Sequence, residues 1–413
     1  MSADPRPKRT PRGVETLSAG WEPNPRRILW PFLFTLVVVA GTWTPPGALR
    51  DAATRDPATG MRLVYSDPYI WGAPWFDLLD ALGILTWPQH VALALTVVVV
   101  HLAVRAWRAW RGRRRPALGR EVLLLFATIG GLTLAYATGA LVPRPMARLI
   151  VFDSDVLVLD LRARSAYADE GRPEFSATWR RRWSSRAGYH AAYIDDARGA
   201  REAMAANPPR AGAGFVALPA TQAIRAGQPV TQLSPEAPAD TPVLVQAIPA
   251  DLDAATRGEP NAAPLTALEI NNGSPHGLAQ ALADHDRLVH LADSLDLALV
   301  AGSNHRGWGS TAVAWTLMRL PGWQRLSPDS LARRIETTLR TERRRATRVV
   351  ERRTPELTPG LALAGLGPLL LYELNATLSP SQRLSWICWI WGLFHLGPLT
   401  TAWFRGRRRL RAP

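Results

Sequence analysis

VLVLDLRARSAYADEGRP (Val156–Pro173), followed after a helix-like segment by RAGYHAAYIDDARGAREA (Arg186–Ala203), is the stretch that decides the fold. Val156–Leu161 is an apolar, β-branched run, Glu174–Ala187 reads as a helix, and Ala191–Ile194 is a second apolar run. The pattern continues outward. Further apolar runs lie at Gly214–Leu218, Pro242–Ile248, Leu265–Ile270 and Leu297–Ala301, with a helix-like stretch over Gly277–Ser294. Continuous apolar runs are strands buried on both faces, and their alternation with helices predicts an α/β fold with a largely parallel sheet. Residues 219–240 and 251–264 are rich in Pro, Ala, Gln and Asp and read as loops.

Charged residues gather at the ends of these runs. Asp160-Leu161-Arg162-Ala163-Arg164-Ser165 closes the first, with Glu170-Gly171 soon after, and Ile194-Asp195-Asp196 closes the second. Glu269 ends LTALEI, and Gly302-Ser303-Asn304-His305-Arg306-Gly307-Trp308-Gly309 follows the last run. In this order the motifs resemble the PHP (polymerase and histidinol phosphatase) domain family over roughly residues 150–330. There the first strand ends in Asp-Leu-His-x-His-Thr, later motifs read Asp-Gly and Thr-Asp-His, and the last reads Gly-Ser-Asp-x-His. On that pattern Arg162 and Arg164 stand where the family has two metal-binding histidines, Asp196 stands for a histidine, and Glu269 matches a metal-binding glutamate. The last motif can be set in two ways. With His305 on the family histidine, Ser303 falls on the aspartate. With Gly307-Trp308-Gly309 as the anchor, Asn304 falls on the aspartate and Arg306 on the histidine, which repeats the change at 162 and 164 and is preferred. The resemblance implies a distorted TIM-like (βα)7 barrel with its reactive groups at the C-terminal strand ends.

Replacing a histidine by arginine removes a lone pair and adds a permanent positive charge, so a divalent cation is disfavoured where Arg162 and Arg164 stand. Asp169, Glu170, Asp196, Glu269, His276 and His305 remain as candidate ligands. The alternative is an anion pocket. Arginine forks pair with phosphate or carboxylate oxygens, and Arg162, Arg164 and Arg306 would converge at the barrel mouth with Asp195, Asp196, Glu269, Asn304 and His305 around them. The same residues also suit an internal ion-pair network that merely fills the place of the metal site. No phosphate-binding glycine loop, G-x-S-x-G elbow or His-Glu-x-x-His is present.

The formal charge of +15 on 413 residues suggests nucleic acid, yet residues 151–330 hold 16 Arg against 20 Asp and Glu. The basic excess lies instead beside apolar segments, as in membrane proteins, which argues against a nucleic-acid partner. The single Cys388 excludes an internal disulfide. Ile28–Thr44, Val91–Ala106 and Val122–Val142 are candidate spans, with Leu361–Tyr372 and the Trp-rich Leu384–Phe404 near the end. Ser66–Gln89, where aromatic residues mix with Asp77 and Asp80, reads as an interfacial amphipathic helix. The expected organisation is a basic tail (1–27), a membrane region of about three transmembrane helices (28–149), the α/β domain (150–330), an Arg-rich helix (331–356), C-terminal membrane segments with one or two spans (357–404) and a basic tail (405–413). Seven Arg within 105–120 favour a cytoplasmic loop, which places the domain outside the cytoplasm of a bacterial inner membrane. Nine Arg within 333–353 pull the other way.

The function expected is a membrane-anchored PHP-like module without metal-dependent hydrolysis and without a cofactor. Its partners would be the lipid bilayer and an anionic small molecule or a membrane protein. The competing readings are a phosphoesterase with a reduced metal site and a non-catalytic subunit of a membrane complex.

Overall fold

The computed structural model describes residues 25–43, 47–111, 118–225, 227–235, 242–249, 264–354 and 362–409. Most of the basic N-terminal tail, the middle of the 105–120 arginine loop, nearly all of the 251–264 loop and the end of the basic C-terminal tail lie outside the described residues. The chain divides into two units, Met1–Ala40 with Trp386–Pro413, and Gly41–Ser385.

In the first unit α1 (Pro25–Ala40) meets the C-terminal helix through Phe34 and Phe394, 6.1 Å apart. Trp391 Nε1 donates to Thr35 Oγ1 at 3.0 Å.

The larger unit is built on one sheet. Its strands are β1 (Leu49–Asp51), β4 (Val156–Ala163), β5 (Ala191–Ile194), β6 (Val216–Arg225), β7 (Gln228–Leu233), β8 (Val243–Gln246), β9 (Ala267–Asn271), β10 (Ala298–Ala301), β11 (Ala314–Arg319) and β12 (Arg348–Arg352). A two-stranded ribbon, β2 (Met61–Val64) with β3 (Arg148–Val151), lies apart. The sheet order is β1-β12-β11-β4-β5-β6-β7-β8-β9-β10. The pairs β4/β5, β5/β6, β8/β9 and β9/β10 are parallel; β7 is antiparallel to both neighbours, and so is β11.

A (βα)7 barrel is therefore not what forms. The sheet is a curled half-barrel of mixed direction. The reason lies at β4, whose free edge is taken by β11 in antiparallel register, Thr316 opposite Leu159. With that edge occupied, β10 cannot close on β4 through a backbone ladder. The seam is made by side chains instead: Thr316 Oγ1 accepts from Ala301 N at 2.7 Å and donates to Ala301 O, and Thr347 Oγ1 donates to Leu299 O at 2.6 Å.

Both faces of the sheet are covered. Leu157, Leu159 and Leu161 of β4 pack with Tyr193, Val216 and Val300, and against Leu331, Ile335 and Leu339 of α10 (Pro328–Glu342). The i, i+4, i+8 spacing of those three explains why this Arg-rich segment is a domain helix; the rest of the predicted helix becomes β12. Val158 and Ile194 face α6 (Ala177–Ala187) and α7 (Ala197–Met204). Leu268 and Leu299 face α8 (Pro275–Ala283) and α9 (His285–Ser294).

Among the described residues two helices are long and apolar enough to cross a membrane, α4 (Trp87–Trp110) and Gly119–Leu141 of α5 (Leu118–Leu141). This corrects the expectation of three N-terminal and one or two C-terminal spans: Ile28–Ala40 is shorter, and α11 (Ala362–Thr377), at 16 residues, rises only ~24 Å against a hydrocarbon core of ~30 Å. Helix α12 (Pro380–Arg409), which holds the predicted Leu384–Phe404 span, is not among the two. Helices α4 and α5 form an antiparallel hairpin. His90 meets the Tyr136 hydroxyl at 2.8 Å near one end, and His101 lies 3.9 Å from Glu121 near the other. Their apolar side chains face outward, with Leu123, Phe126 and Leu134 at 68 %, 67 % and 67 % exposure.

The Ser66–Gln89 segment forms α2 (Asp67–Trp71) and α3 (Ala73–Gly83), then a Thr86/Gln89 capping box that starts α4. Its polarity is inverted. Asp77 and Asp80 are buried, while Trp71 and Trp75 point outward at 79 % and 59 % exposure. Tyr69 donates to both carboxylates. Asp80 also holds Arg144, just past α5, and accepts from Arg352 at the end of β12 at 2.9 Å and from Thr311 at 3.0 Å. Burial alone would raise Asp80, but Arg352 and Arg144 together hold it below the usual carboxylate range. One side chain thus ties the helix hairpin to the sheet. Truncating one member of a buried ion pair costs ~3–5 kcal/mol because the partner stays charged. Asp80→Ala should lose about that much in denaturant unfolding of the detergent-solubilised full chain. A loss below ~1 kcal/mol would mean that the joint is solvated.

Candidate functional site

The C-terminal end of β4 delivers Asp160, Arg162 and Arg164, all buried, and its pairing with β5 becomes irregular between Asp160 and Ala163. Asp195 follows β5 with its side chain fully covered. Glu269, on β9, is 1 % exposed. Arg162 Nη1 meets Glu269 Oε2 at 3.1 Å, and its Nε lies 3.9 Å from Asp195 Oδ2. Arg164 Nε sits 3.3 Å from the same oxygen, donates to Asn304 Oδ1 at 3.3 Å, and its Nη1 donates to Gln222 Oε1 at 3.1 Å. Ile248 N donates to Glu269 Oε2 at 3.3 Å.

A third guanidinium joins them from α6. Arg180 is 1 % exposed, lies 3.9 Å from Asp160 Oδ2, and donates to the carbonyls of His305 (2.8 Å) and Arg164. Asp160 also accepts from Ser303 N at 2.8 Å. Three arginines thus face three carboxylates, Asp160, Asp195 and Glu269, in one buried space, and the charges cancel. Contacts are close but do not saturate the groups: Arg162 Nε, both Asp195 oxygens and Glu269 Oε1 have no hydrogen bond among the described residues. Burial pushes Asp160, Asp195 and Glu269 upward, against the pull of Arg180, of Arg164 and Arg162, and of Arg162 respectively. It pushes Arg164 and Arg180 downward. Gly302 gives this cluster room, since a Cβ there would lie 2.5 Å from Arg162 Cβ and 2.6 Å from Glu269 Oε1.

The remaining candidates lie elsewhere. Arg306 leaves the cluster and pairs with exposed Glu170 at the surface. Asp196 is the N-cap of α7, its Oδ1 accepting from Gly199 N at 2.5 Å. Asp169 is exposed, as is His276, which stacks on Trp87. His305 is buried, stacked on the Trp183 ring at 3.9 Å with Phe175 edge-on. Its Nε2 faces Gly309 O at 3.2 Å while Nδ1 accepts from Gly307 N. Among the described residues no three His, Cys, Asp or Glu side chains converge in a way that could hold a metal ion. Arg180 and Gln222 were not singled out in the sequence. The signal for Arg180 was its place at i−3 from Trp183 and i−7 from Ala187, the buried face of α6. Gln222 lies in a stretch that reads as a loop and carried no signal.

No protein-family model matches the chain, and no curated protein matches it. A similarity to a solved structure is found with the crystal structure of PsfC from Pseudomonas syringae PB-5123, at 14 % identity and a TM-score of 0.32, covering 53 % of this chain and 98 % of that one. At that level it assigns neither fold nor function here.

Burial first, and the Arg180 charge beside it, drop the His305 imidazole from its ordinary value to about 3, so it is neutral in the fold. A folded value below the unfolded ~6.5 means that its stabilising contribution is whole above pH ~6.5 and is lost as pH falls toward the folded value. Between pH 7 and pH 4 that loss is at most ~3 kcal/mol. His305→Gln should shrink the acid-induced loss of stability, measured by denaturant unfolding at both pH values, by up to that amount. An unchanged pH slope would show that His305 titrates normally.

Proposed function

We propose that this chain is a membrane-associated α/β protein whose domain works as a binding or structural module, not as a metal-dependent hydrolase. The resemblance to the PHP family enters on the same footing: the proposal is that an arginine–carboxylate network occupies the place where such a domain assembles its metal ions. The observation that carries it is the pairing of Arg162 with Glu269 and Asp195, and of Arg164 with Asp195. These guanidiniums engage the carboxylates a cation would need, and their own charge opposes its entry. The balance of three against three favours an internal network over an open anion pocket at Arg162 and Arg164. Equilibrium dialysis of the purified full chain against Zn or Mn should give less than one tightly bound ion per chain. Two or more ions, with phosphoesterase turnover abolished in Glu269→Ala, would falsify the proposal in favour of an enzyme with a reduced metal site.

The two apolar helices support a bilayer as partner, and their hairpin geometry orders the rest. The start of α4 and the end of α5 lie at one end with the α/β domain, whereas Arg105, Arg108, Arg111 and Arg120 lie at the other. By the positive-inside rule the arginine end belongs in the cytoplasm, and the domain then lies on the outer face of the inner membrane. For cysteine labelling in intact cells, exposed Ile224→Cys is a suitable position on the domain. It should react with a membrane-impermeant reagent while Arg111→Cys does not. The reverse pattern overturns the orientation.

A further inference from the structure

Helix α6 carries four arginines, and two of them have something to bind. Arg180 is used up in the buried network, and Arg181 donates to Phe215 O, Ala203 O and Asn207 Oδ1. Arg182 and Arg186 are exposed and make no ion pair or hydrogen bond with any described residue. At i and i+4 they share one helix face. That face forms one wall of a cavity of about 320 Å³, with Trp179 and Trp183 on the same helix and Pro143 and Arg144 opposite. Ser176 and Ser310 add hydroxyls, and no Asp or Glu lines it. The indole Nε1 of Trp183 is buried and has no hydrogen-bond partner.

The position of this cavity is as informative as its chemistry. Pro143 stands two residues beyond Leu141, the end of α5, within ~7 Å along the chain. The end of α5 is fastened here: Gly309 N donates to Ala140 O at 2.8 Å, and Arg172 Nη1 donates to Leu141 O at 2.9 Å. The outward tryptophans of α2 and α3 lie at this same end, since α3 precedes α4 and Asp80 holds Arg144. Exposed indoles concentrate where headgroups begin. Paired arginine forks without a carboxylate suit a phosphate diester, which each can hold by two parallel hydrogen bonds.

We infer that Arg182 and Arg186 form a phosphate site at the membrane end of the domain, occupied by the headgroup of an anionic phospholipid. The inference rests on the membrane-associated reading above and names the ligand class the module takes. The groove along α6 admits the headgroup from the bilayer surface, the two guanidiniums neutralise its phosphate, and the indoles pack on its glycerol.

The test uses the full chain reconstituted in nanodiscs of phosphatidylcholine with and without phosphatidylglycerol, then taken into neutral detergent for native mass spectrometry and thermal unfolding. Wild type should retain phosphatidylglycerol and be stabilised by it. Arg182→Gln/Arg186→Gln should bind it about tenfold or more weakly, as expected when charge-assisted hydrogen bonds are lost. The single variants should fall between. Because neither arginine has a partner among the described residues, the unliganded double variant should melt with wild type. Arg198→Gln/Arg201→Gln, which removes equal charge from α7, should bind as wild type does. Equal retention by wild type and the Arg182/Arg186 variant, or an equal loss in the α7 variant, overturns the site. Stabilisation by soluble glycerol 3-phosphate matching that by phosphatidylglycerol overturns the lipid as its source. A chain that does not enter nanodiscs at all overturns the membrane reading itself, which separates that failure from a failure of the site.

Discussion

Three guanidinium groups and three carboxylates share one buried space and join β4, β5, β9 and α6. The cluster also places backbone. Asp160 accepts from Ser303 N, and Arg162 O accepts from Asn304 N, so the strand that carries the arginines fixes the loop after β10. That loop then reaches the helix hairpin through Gly309, which caps α5, and Thr311, which donates to Asp80. A chain of contacts therefore runs from Glu269 through Arg162 and the loop after β10 to the helix hairpin.

The energetics of such a cluster are asymmetric. Each buried ion costs several kcal/mol to desolvate, and the pairing recovers this only while every partner is present. An arginine cannot shed its proton to escape burial as a lysine would. Among these groups only the carboxylates can neutralise, and burial biases Asp160, Asp195 and Glu269 in that direction. Placing one histidine at position 162 or 164 would unbalance the remainder before it created a metal ligand. Converting the cluster to a metal site thus needs several coordinated changes, whereas loss of one member needs only one and is destabilising.

Much of the sheet was legible because strands buried on both faces leave continuous apolar runs: those at Val156, Ala191, Pro242, Leu265 and Leu297 all fall on strands. The path between them was not. Gln228–Leu233 carries Gln, Thr and Pro among its apolar residues, so β7 gave no such run, yet it reverses the sheet direction. The strand that takes the β4 edge lies far along the chain, at 314–319, and no local pattern announces that pairing. Arg162, Arg164, Asp195 and Glu269 could be placed at strand ends from the apolar runs they close. Their partners could not, because Arg180 sits among three consecutive arginines and only the helix register distinguishes the buried one. Arg306 misled for the opposite reason, since its motif position said nothing of Glu170 across the loop.

The inverted α3 helix shows how composition alone deceives in this setting. In water, an amphipathic helix turns its carboxylates outward and its tryptophans inward. Here Asp77 and Asp80 point in, where Tyr69, Arg144 and Arg352 satisfy them, and Trp71 and Trp75 point out. That arrangement is costly for a helix surrounded by water and natural for one lying at a headgroup layer, where an indole has both an apolar and a polar neighbour. The α4 helix sets the scale independently: from Trp87, 53 % exposed, to Trp107, 45 % exposed, the rise is ~30 Å, the thickness of a hydrocarbon core. Two aromatic levels separated by about one membrane thickness, with the buried Asp80 joint at one of them, fit the proposal that the domain is held at a fixed height above a bilayer. On the proposed placement, the groove that holds Arg182 and Arg186 would open at the level of the phosphates.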